Sequence, residues 1–436
     1  LENRPIVHVI GAGLAGVEAS YQLAKRGIHV FLHEMKKIKK SPAHTMNTFA
    51  ELVCSNSFRS DSIQNAAGLL KEELRMLDSL VIRCADKTRV PAGSALAVDR
   101  DLFSEACTQA ILNHPLIEVI DEEVTSLPEG NVLVATGPLT SDALFEEIKK
   151  ITGEDTLYFF DAAAPIIEAD SINMDIAFMK SRYDKGEATY INCPMSKEEY
   201  DVWYNELIHA ECVIPKDFEM KVFEGCMPIE EMAKRGPQTL TYGPMKPVGL
   251  RKPDGTRAYA MVQLRQDNLS KSLYNIVGFQ THMKFGEQLR IIRMIPGLEQ
   301  ANIVRYGVMH RNSYINAPKL INDTYQLKKL PNIFIAGQLS GVEGYVESIG
   351  SAMIASINMA RMIKGMPKLA FPIETAMGSQ AHYLAESDPI YFQPMNANFG
   401  IFPPLEEQHF KKARKEMYAQ RSIEALRSFM EMNDIE

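Results

Sequence analysis

Three observations in the sequence predict an α/β fold, a doubly wound Rossmann-like sheet interrupted by a smaller α+β insertion. A β-branched run at Ile6–Ile10 leads directly into a glycine turn and a helical period. Two further buried-strand runs, at residues 132–134 and 333–335, also end in glycine turns. The stretch between those two runs has a different, proline-interrupted texture.

The first element is the strand Ile6-Val7-His8-Val9-Ile10. Behind it, Gly11-Ala12-Gly13-Leu14-Ala15-Gly16 completes a G-x-G-x-x-G pattern. Leu14, Val17, Tyr21 and Ala24 then recur at the spacing of one buried helix face until Gly27 stops it. A second strand is expected at residues 28–33, ending against Glu34. Strand, glycine turn, helix, strand and terminal acid make a dinucleotide-binding βαβ unit: the glycines admit a pyrophosphate, the helix N-terminus attracts it, and Glu34 accepts ribose hydroxyls. A carboxylate at that place disfavours a ribose 2′-phosphate, leaving FAD or NAD.

Val132-Leu133-Val134-Ala135-Thr136-Gly137-Pro138 and Ile333-Phe334-Ile335-Ala336-Gly337-Gln338 read as returns to the same sheet. After the second, Gly341, Gly344 and Gly350 flank Tyr345 and Glu347, and a helix is expected over residues 351–363. An A-T-G turn midway and a far glycine motif resemble two-site flavoproteins of the glutathione-reductase-like kind, in which the far motif touches the flavin end of FAD. That places Thr136, Gly137, Gly337, Gln338, Gly344 and Tyr345 beside Gly11 to Gly16 and Glu34 as expected cofactor residues.

The expected organisation is a first part of the dinucleotide-binding domain at 1–165, an insertion or substrate domain at 166–305, and the second part with a C-terminal helix at 306–436. Within the insertion, Ser196 and Glu199 have the spacing of a capping box for a helix over 196–210. After Pro403-Pro404, Lys411, Lys412, Arg414, Lys415, Arg421 and Arg427 fall on a basic helix, read as solvated first and phosphate-contacting second.

Composition narrows the function classes. Hydrophobic residues make up 46% and charged residues 23% of the 436, which excludes a disordered or coiled-coil chain. Net charge is −8, so a nucleic-acid partner must meet a local patch. One such patch runs from Lys234 to Lys271, where Arg235, Lys246, Arg251 and Arg265 are among eight cations facing only Asp254 and Asp267. No signal-peptide pattern and no run near about 18 apolar residues occurs, so a cytoplasmic protein without a membrane association is expected.

The six cysteines include no Cys-x-x-Cys pair, so neither a metal site nor a redox disulfide is expected. Cys84, Cys107, Cys193 and Cys212 read as small hydrophobes. Cys226 follows Gly225 and precedes Pro228 at an expected helix start, where a thiol is acidified, although Glu224, Glu230 and Glu231 oppose this. Spacing alone leaves reactive and structural readings of Cys226 open. Cys54 lies in Leu52-Val53-Cys54-Ser55-Asn56-Ser57-Phe58-Arg59, an unusually polar setting.

Over nearly its whole length the chain resembles the folate- and FAD-dependent tRNA (uracil-5-)-methyltransferases, relatives of larger flavoproteins that help modify the tRNA wobble uridine. The residues that carry the resemblance are Gly11 to Gly16, Cys54 to Arg59, Phe223-Glu224-Gly225-Cys226-Met227-Pro228, and Ala336-Gly337-Gln338 through Gly344-Tyr345-Val346-Glu347-Ser348. The resemblance implies FAD as cofactor, methylenetetrahydrofolate as one-carbon donor, NADPH or NADH as reductant, and a T-loop uridine of tRNA as acceptor. It implies Cys226 as the thiolate that adds to uracil and Cys54 as a second catalytic thiol. Tyr345 with Thr281-His282-Met283 would offer a folate surface, and Arg235, Lys246, Arg251 and Arg265 would hold RNA phosphates; no obligate protein partner is evident. The competing expectations are the same chemistry on ribosomal RNA, a wobble-uridine flavoprotein, and an FAD-stabilised RNA-binding module without turnover.

Overall fold

The computed structural model describes residues 5–41, 43–154, 157–184, 187–213, 227–405 and 411–435. The amino-terminal unit opens with β1 (Ile6–Ile10), α1 (Leu14–Lys25) and β2 (His29–Glu34). There follow β3 (Ser57–Ser60), α2 (Ala66–Met76), α3 (Leu80–Lys87), β4 (Arg89–Val90), β5 (Ala95–Val98), α4 (Arg100–Leu112), β6 (Ile117–Asp121), β7 (Asn131–Val134) and α5 (Asp142–Thr152). Next come β8 (Leu157–Ala162), β9 (Ile166–Glu168), β10 (Phe178–Met179), β11 (Tyr190–Met195), α6 (Lys197–Ile208), α7 (Ile229–Lys234), α8 (Thr239–Tyr242), β12 (Ala260–Gln266), β13 (Leu273–Ile276), α9 (Phe285–Arg293) and β14 (Ile303–Arg305). The chain closes with β15 (Met309–Tyr314), α10 (Ala317–Leu320), β16 (Ile333–Ile335), α11 (Tyr345–Ile363), α12 (Ala376–Glu386) and α13 (Lys411–Asn433).

Two sheets carry the architecture. The first is parallel, in the order β16-β7-β1-β2-β6, so both distant runs do return to the sheet of β1, β7 beside β1 and β16 beside β7. Val7 and Val9, on one face of β1, have no exposed surface, while His8 on the other face is half-buried. Helix α1 lies against α11, and the core draws on residues from Val7 to Ile435.

The second sheet, β10-β11-β12-β13-β9-β14, is antiparallel and has its own core, with residues from Ile167 to Ile303. The chain's single tryptophan, Trp203 on α6, is fully buried there and donates its indole N–H to the Ile291 carbonyl on α9 at 3.1 Å. The capping box forms as expected: the Ser196 amide donates to Glu199 at 2.7 Å and the Glu199 amide to Ser196 Oγ at 3.2 Å. A two-stranded ribbon, β8 with β15, brackets this sheet, pairing Ala162 with Met309 at its inner end.

Two of the element boundaries that moved bear on the site. β2 runs one residue later than expected, so Glu34 is its last residue, paired with Asp121. Helix α11 begins at Tyr345, six residues before the expected start, because Gly344 (φ +115°) rather than Gly350 ends the loop. Gly350 is instead a mid-helix close approach, where an added Cβ would lie 3.4 Å from Leu70 and 3.8 Å from Met377.

Two buried carboxylates tie helices together. Glu18 of α1 accepts from Ser79 Oγ at 2.7 Å and from the Val81 amide at 3.0 Å, capping α3. Glu73 of α2 accepts from the Ala376 and Met377 amides at 2.6 and 2.9 Å and from Ser422 Oγ at 2.5 Å, joining α12 and α13. Each satisfies otherwise orphaned amides at a helix start.

Candidate functional site

The carboxyl ends of β1, β7 and β16 open on one cavity. Gly11, Gly13, Leu14, Ala15, Glu34, Thr136, Gly137, Gly337, Gln338 and Tyr345 all line it. Four segments, the outermost more than three hundred residues apart, thus meet where a doubly wound sheet binds its ligand.

The glycines divide by task. At Gly11 (φ +95°) a Cβ would lie 2.7 Å from the Ala135 carbonyl oxygen, and at Gly16 it would lie 1.7 Å from that of Gly11. These two are needed by the turn and by the approach of α1 to the sheet. Gly13 differs: its φ of −74° suits any residue, and an added Cβ meets no protein atom within 4 Å. Its missing side chain therefore leaves space for a ligand rather than for the protein, at the end of α1 where the first-turn amides are unpaired. The residues present fit the pyrophosphate of a dinucleotide.

Glu34 accepts from the Ala12 amide at 2.7 Å and from the Lys36 amide at 2.9 Å. Two bonds use half of a carboxylate's acceptor capacity, and the remainder suits ribose hydroxyls. Ala12, Gly16 and Gly344 do not line the cavity. Ala12 orients Glu34, Gly16 packs against Gly11, and Gly344 makes room for Glu347, whose Oε2 would lie 2.2 Å from a Cβ there. Sequence reasoning missed other lining residues, among them His33, Lys36, His44, Glu51, Val53, Glu122 and Glu123. Of these, only His33 and Lys36 stood close enough to Glu34 in sequence to be suspected.

Cys54 is half-buried, one residue past Val53 on the cavity wall. Its amide donates to the Tyr345 hydroxyl at 2.9 Å, and that of Ser55 donates to the same oxygen at 3.1 Å. Burial raises the Tyr345 phenol above the ordinary tyrosine range, so it stays a neutral hydroxyl. Cys226 lies outside the described residues. The helix it precedes does form, with Pro228 as N-cap and Ile229 as first residue of α7.

The four remaining cysteines are free. Cys84, Cys107 and Cys193 are buried, and burial pushes the Cys193 thiol up to about 12. Cys212 is likewise pushed up to about 12 by burial. Its sulfur shares a cluster with Glu230 and His282, the ligand atoms lying within 4.8 Å of one another. His282 is tied there by an ion-pair network, its Nε2 lying 3.1 Å from Glu231 and 3.3 Å from Glu230, while Nδ1 faces the Val213 carbonyl at 3.1 Å. Thr281 donates to Glu230 at 2.9 Å. Neither Thr281 nor His282 lines the cavity, although Tyr345 does.

The cationic residues separate as well. Arg235 and Arg251 are exposed and Lys246 is half-buried. Arg265 is corrected: it is buried at 8% exposure, its Nε on Asn56 Oδ1 at 3.1 Å and its Nη2 on Ser55 Oγ at 2.7 Å, so it braces the Cys54 loop and presents no charge to RNA. Sequence reasoning misplaced it because β12 alternates too weakly to mark an inward face: only Gln263 is not buried. Near the C-terminus, Arg421 is spent on the Pro403 and Pro404 carbonyls at 2.6 and 3.1 Å.

The parallel sheet, the glycine turn and the cavity at the strand ends define a dinucleotide-binding α/β protein of the doubly wound class. The chain belongs to the glucose inhibited division protein A family, which matches residues 6–367, and within it to the methylenetetrahydrofolate–tRNA-(uracil-5-)-methyltransferases. The Bacillus licheniformis protein of that name, TrmFO, is 58% identical over 425 residues, covering 97% of this chain and 98% of the relative. TrmFO from Lysinibacillus sphaericus is 58% identical over 433 residues, covering 99% of each. Among solved structures, Aquifex aeolicus GidA in its form II crystal superposes with a TM-score of 0.71 at 16% identity, covering 98% of this chain and 73% of that one. That likeness shows the fold. No helix among the described residues is long and apolar enough to cross a membrane.

Proposed function

We propose that this chain is a cytoplasmic methylenetetrahydrofolate-dependent tRNA (uracil-5-)-methyltransferase that binds FAD and makes 5-methyluridine in the tRNA T-loop. The observation that carries the reading is the hydrogen bond of the Cys54 amide to Tyr345, which with Val53 lines the dinucleotide cavity, in a chain 58% identical to relatives named for that reaction. When bound, the flavin supplies redox and one-carbon carrier chemistry between reduced nicotinamide, folate and uracil.

The chain's own residues supply position, acid–base chemistry and a nucleophile. Carbon-5 of uracil becomes nucleophilic once a thiolate adds at carbon-6, because the carbon–carbon π electrons then move into an enolate. Cys226 is the residue proposed to make that sulfur–carbon bond, and it leaves as thiolate when the carbon-5 proton is removed. Cys54 is proposed as the second thiol, positioned to take or return a proton. Gly13 and the first-turn amides of α1 receive the pyrophosphate, Glu34 the ribose, and Gly337, Gln338 and Tyr345 the flavin end. The exposed Arg235 and Arg251, with Lys246, are proposed to hold phosphates of the RNA loop, which must be opened to expose its base.

The test is incubation of the purified yellow protein with methylenetetrahydrofolate, NADPH or NADH, and competing tRNA and ribosomal RNA transcripts, followed by nucleoside mapping. 5-Methyluridine in the tRNA T-loop is expected. Methylation confined to ribosomal RNA would replace the substrate, and no methylation of either would sink the reading. Cys226→Ala should abolish the product while the protein stays yellow.

A further inference from the structure

Residues 51–56 form neither helix nor strand, yet two of their carbonyls, two of their amides and the Ser55 and Asn56 side chains are held by residues distant in sequence. Arg100 Nη1 donates to the Leu52 carbonyl at 2.6 Å, and Arg305 Nη2 donates to the Val53 carbonyl at 2.9 Å. Tyr345 accepts the Cys54 and Ser55 amides, and Arg265 holds Ser55 and Asn56 through their side chains. Asn56 Nδ2 donates to the Val98 and Gln266 carbonyls, both at 3.0 Å. The bracing residues lie 48, 210, 252 and 291 positions away in sequence, from α4, β12, β14 and α11.

This arrangement is costly in stability. Arg100 and Arg265 are each only 8% exposed, and among the described residues Asp267 is the one carboxylate bonded to this group, on Arg100 at 3.1 Å. Arg100 Nη2 is buried with no hydrogen-bond partner among the described residues. Burial pulls Arg265 and Arg305 below the ordinary arginine range, and for Arg305 the neighbouring charge of Arg100 adds to the effect. Buried cations aimed at neutral carbonyls and hydroxyls are poor stabilisers, and apolar packing would serve a purely structural loop better. The loop is further bracketed by Ala50 (φ +51°) and Arg59 (φ +64°), non-glycine residues in the left-handed region.

We propose that Arg100, Arg265 and Arg305 are positioning residues that, with Tyr345, clamp the Leu52, Val53, Cys54, Ser55 and Asn56 backbone so that the Cys54 thiol is held at the flavin cavity. The inference rests on the catalytic role proposed for Cys54. Because Arg265 lies on β12 and Arg305 on β14, the clamp closes only when the antiparallel sheet is docked, which makes that sheet part of the machinery that places the thiol as well as a surface for RNA.

Arg305→Met tests this in the flavin-loaded enzyme, since Arg305 bonds two carbonyls and its loss strands no buried acid. Flavin content should be unchanged and KM for tRNA steady, while kcat falls about 100-fold, the size of effect that a misplaced reacting group produces. Arg305→Lys, which can still reach the Val53 carbonyl, should recover part of that loss. Hydrogen exchange at the Cys54 and Ser55 amides should speed up by about 10-fold in Arg305→Met and at least as much in Tyr345→Phe, which removes their shared acceptor. Wild-type kcat together with wild-type exchange in Arg305→Met overturns the proposal. Were that variant unfolded, unchanged exchange in Tyr345→Phe would overturn it. Exchange needs no turnover, so a wild-type protein that never methylates tRNA would sink the proposed reaction while the clamp could still be measured.

Discussion

Gly13 and Gly16 stand three residues apart in one motif, and the structure predicts opposite consequences for filling them. At Gly13 a valine meets an allowed backbone conformation and empty space, so the flavin-free protein should melt as the parent does. The new methyl groups would instead occupy the approach of the pyrophosphate to the first-turn amides of α1. Losing two charge-assisted hydrogen bonds at about 1.5–3 kcal/mol each removes about 3–6 kcal/mol of binding, or roughly a hundredfold to ten-thousandfold in affinity. At Gly16 even alanine sets a carbon 1.7 Å from the Gly11 carbonyl oxygen, a backbone atom that can move only by opening the turn. Gly16→Ala should therefore cost about 3 kcal/mol or more in the flavin-free protein. The assay is the ratio of flavin to protein absorbance in each variant, combined with thermal melts after flavin removal. Full flavin occupancy in Gly13→Val, or a flavin-free melt for it as low as that of Gly16→Ala, would refute the division of labour.

Glu34→Gln replaces one acceptor oxygen by a donor facing the Ala12 or Lys36 amide and removes the charge that ribose hydroxyls meet; flavin affinity measured by fluorescence titration should fall by about 10- to 100-fold. Burial raises Glu73 from its ordinary 4.5 to about 7, against the pull of Ser422 and the two helix amides. An acid raised on folding stabilises the fold below the unfolded value and loses that contribution as pH climbs through the folded one. Wild type should thus lose about 3 kcal/mol relative to Glu73→Gln between pH 4.5 and pH 7.5, and parallel stability curves would contradict this. Arg251→Ala and Lys246→Ala should weaken tRNA binding and each flatten its salt dependence by roughly 0.7–0.9 in log–log slope. Arg265→Ala should leave that slope alone and loosen the Cys54 loop, and a lowered slope would show that its guanidinium reaches RNA.

The cofactor half of the site was legible because its geometry is local: a strand, a glycine turn, a helix and a terminal acid follow one another within 35 residues, and each step is dictated by backbone sterics. The far returns at Val132 to Gly137 and Ile333 to Gln338 were legible for the same reason, since a strand buried on both faces is apolar throughout and a glycine must end it where backbone and ligand crowd. The start of α11 was not. A glycine within a helix and a glycine before one look alike until the neighbour that needs the space, here Leu70, is known.

By itself, then, the sequence determined the strand, helix and strand around the glycine turn, the two far returns to that sheet, the motif that fits a dinucleotide and the two cysteines worth suspecting. Tertiary structure alone decided which cations face water and which are spent inside. Arg251 and Arg265 occupy the same basic stretch, yet one is exposed and the other braces a loop 210 residues away. A charge pattern along the chain carries no record of which strand face turns inward, because that is set by the sheet's packing against a segment the strand has never been near in sequence. The same holds for Cys54, where Arg265 and Arg305 of the antiparallel sheet join Arg100 and Tyr345 of the parallel-sheet unit only once the two have docked.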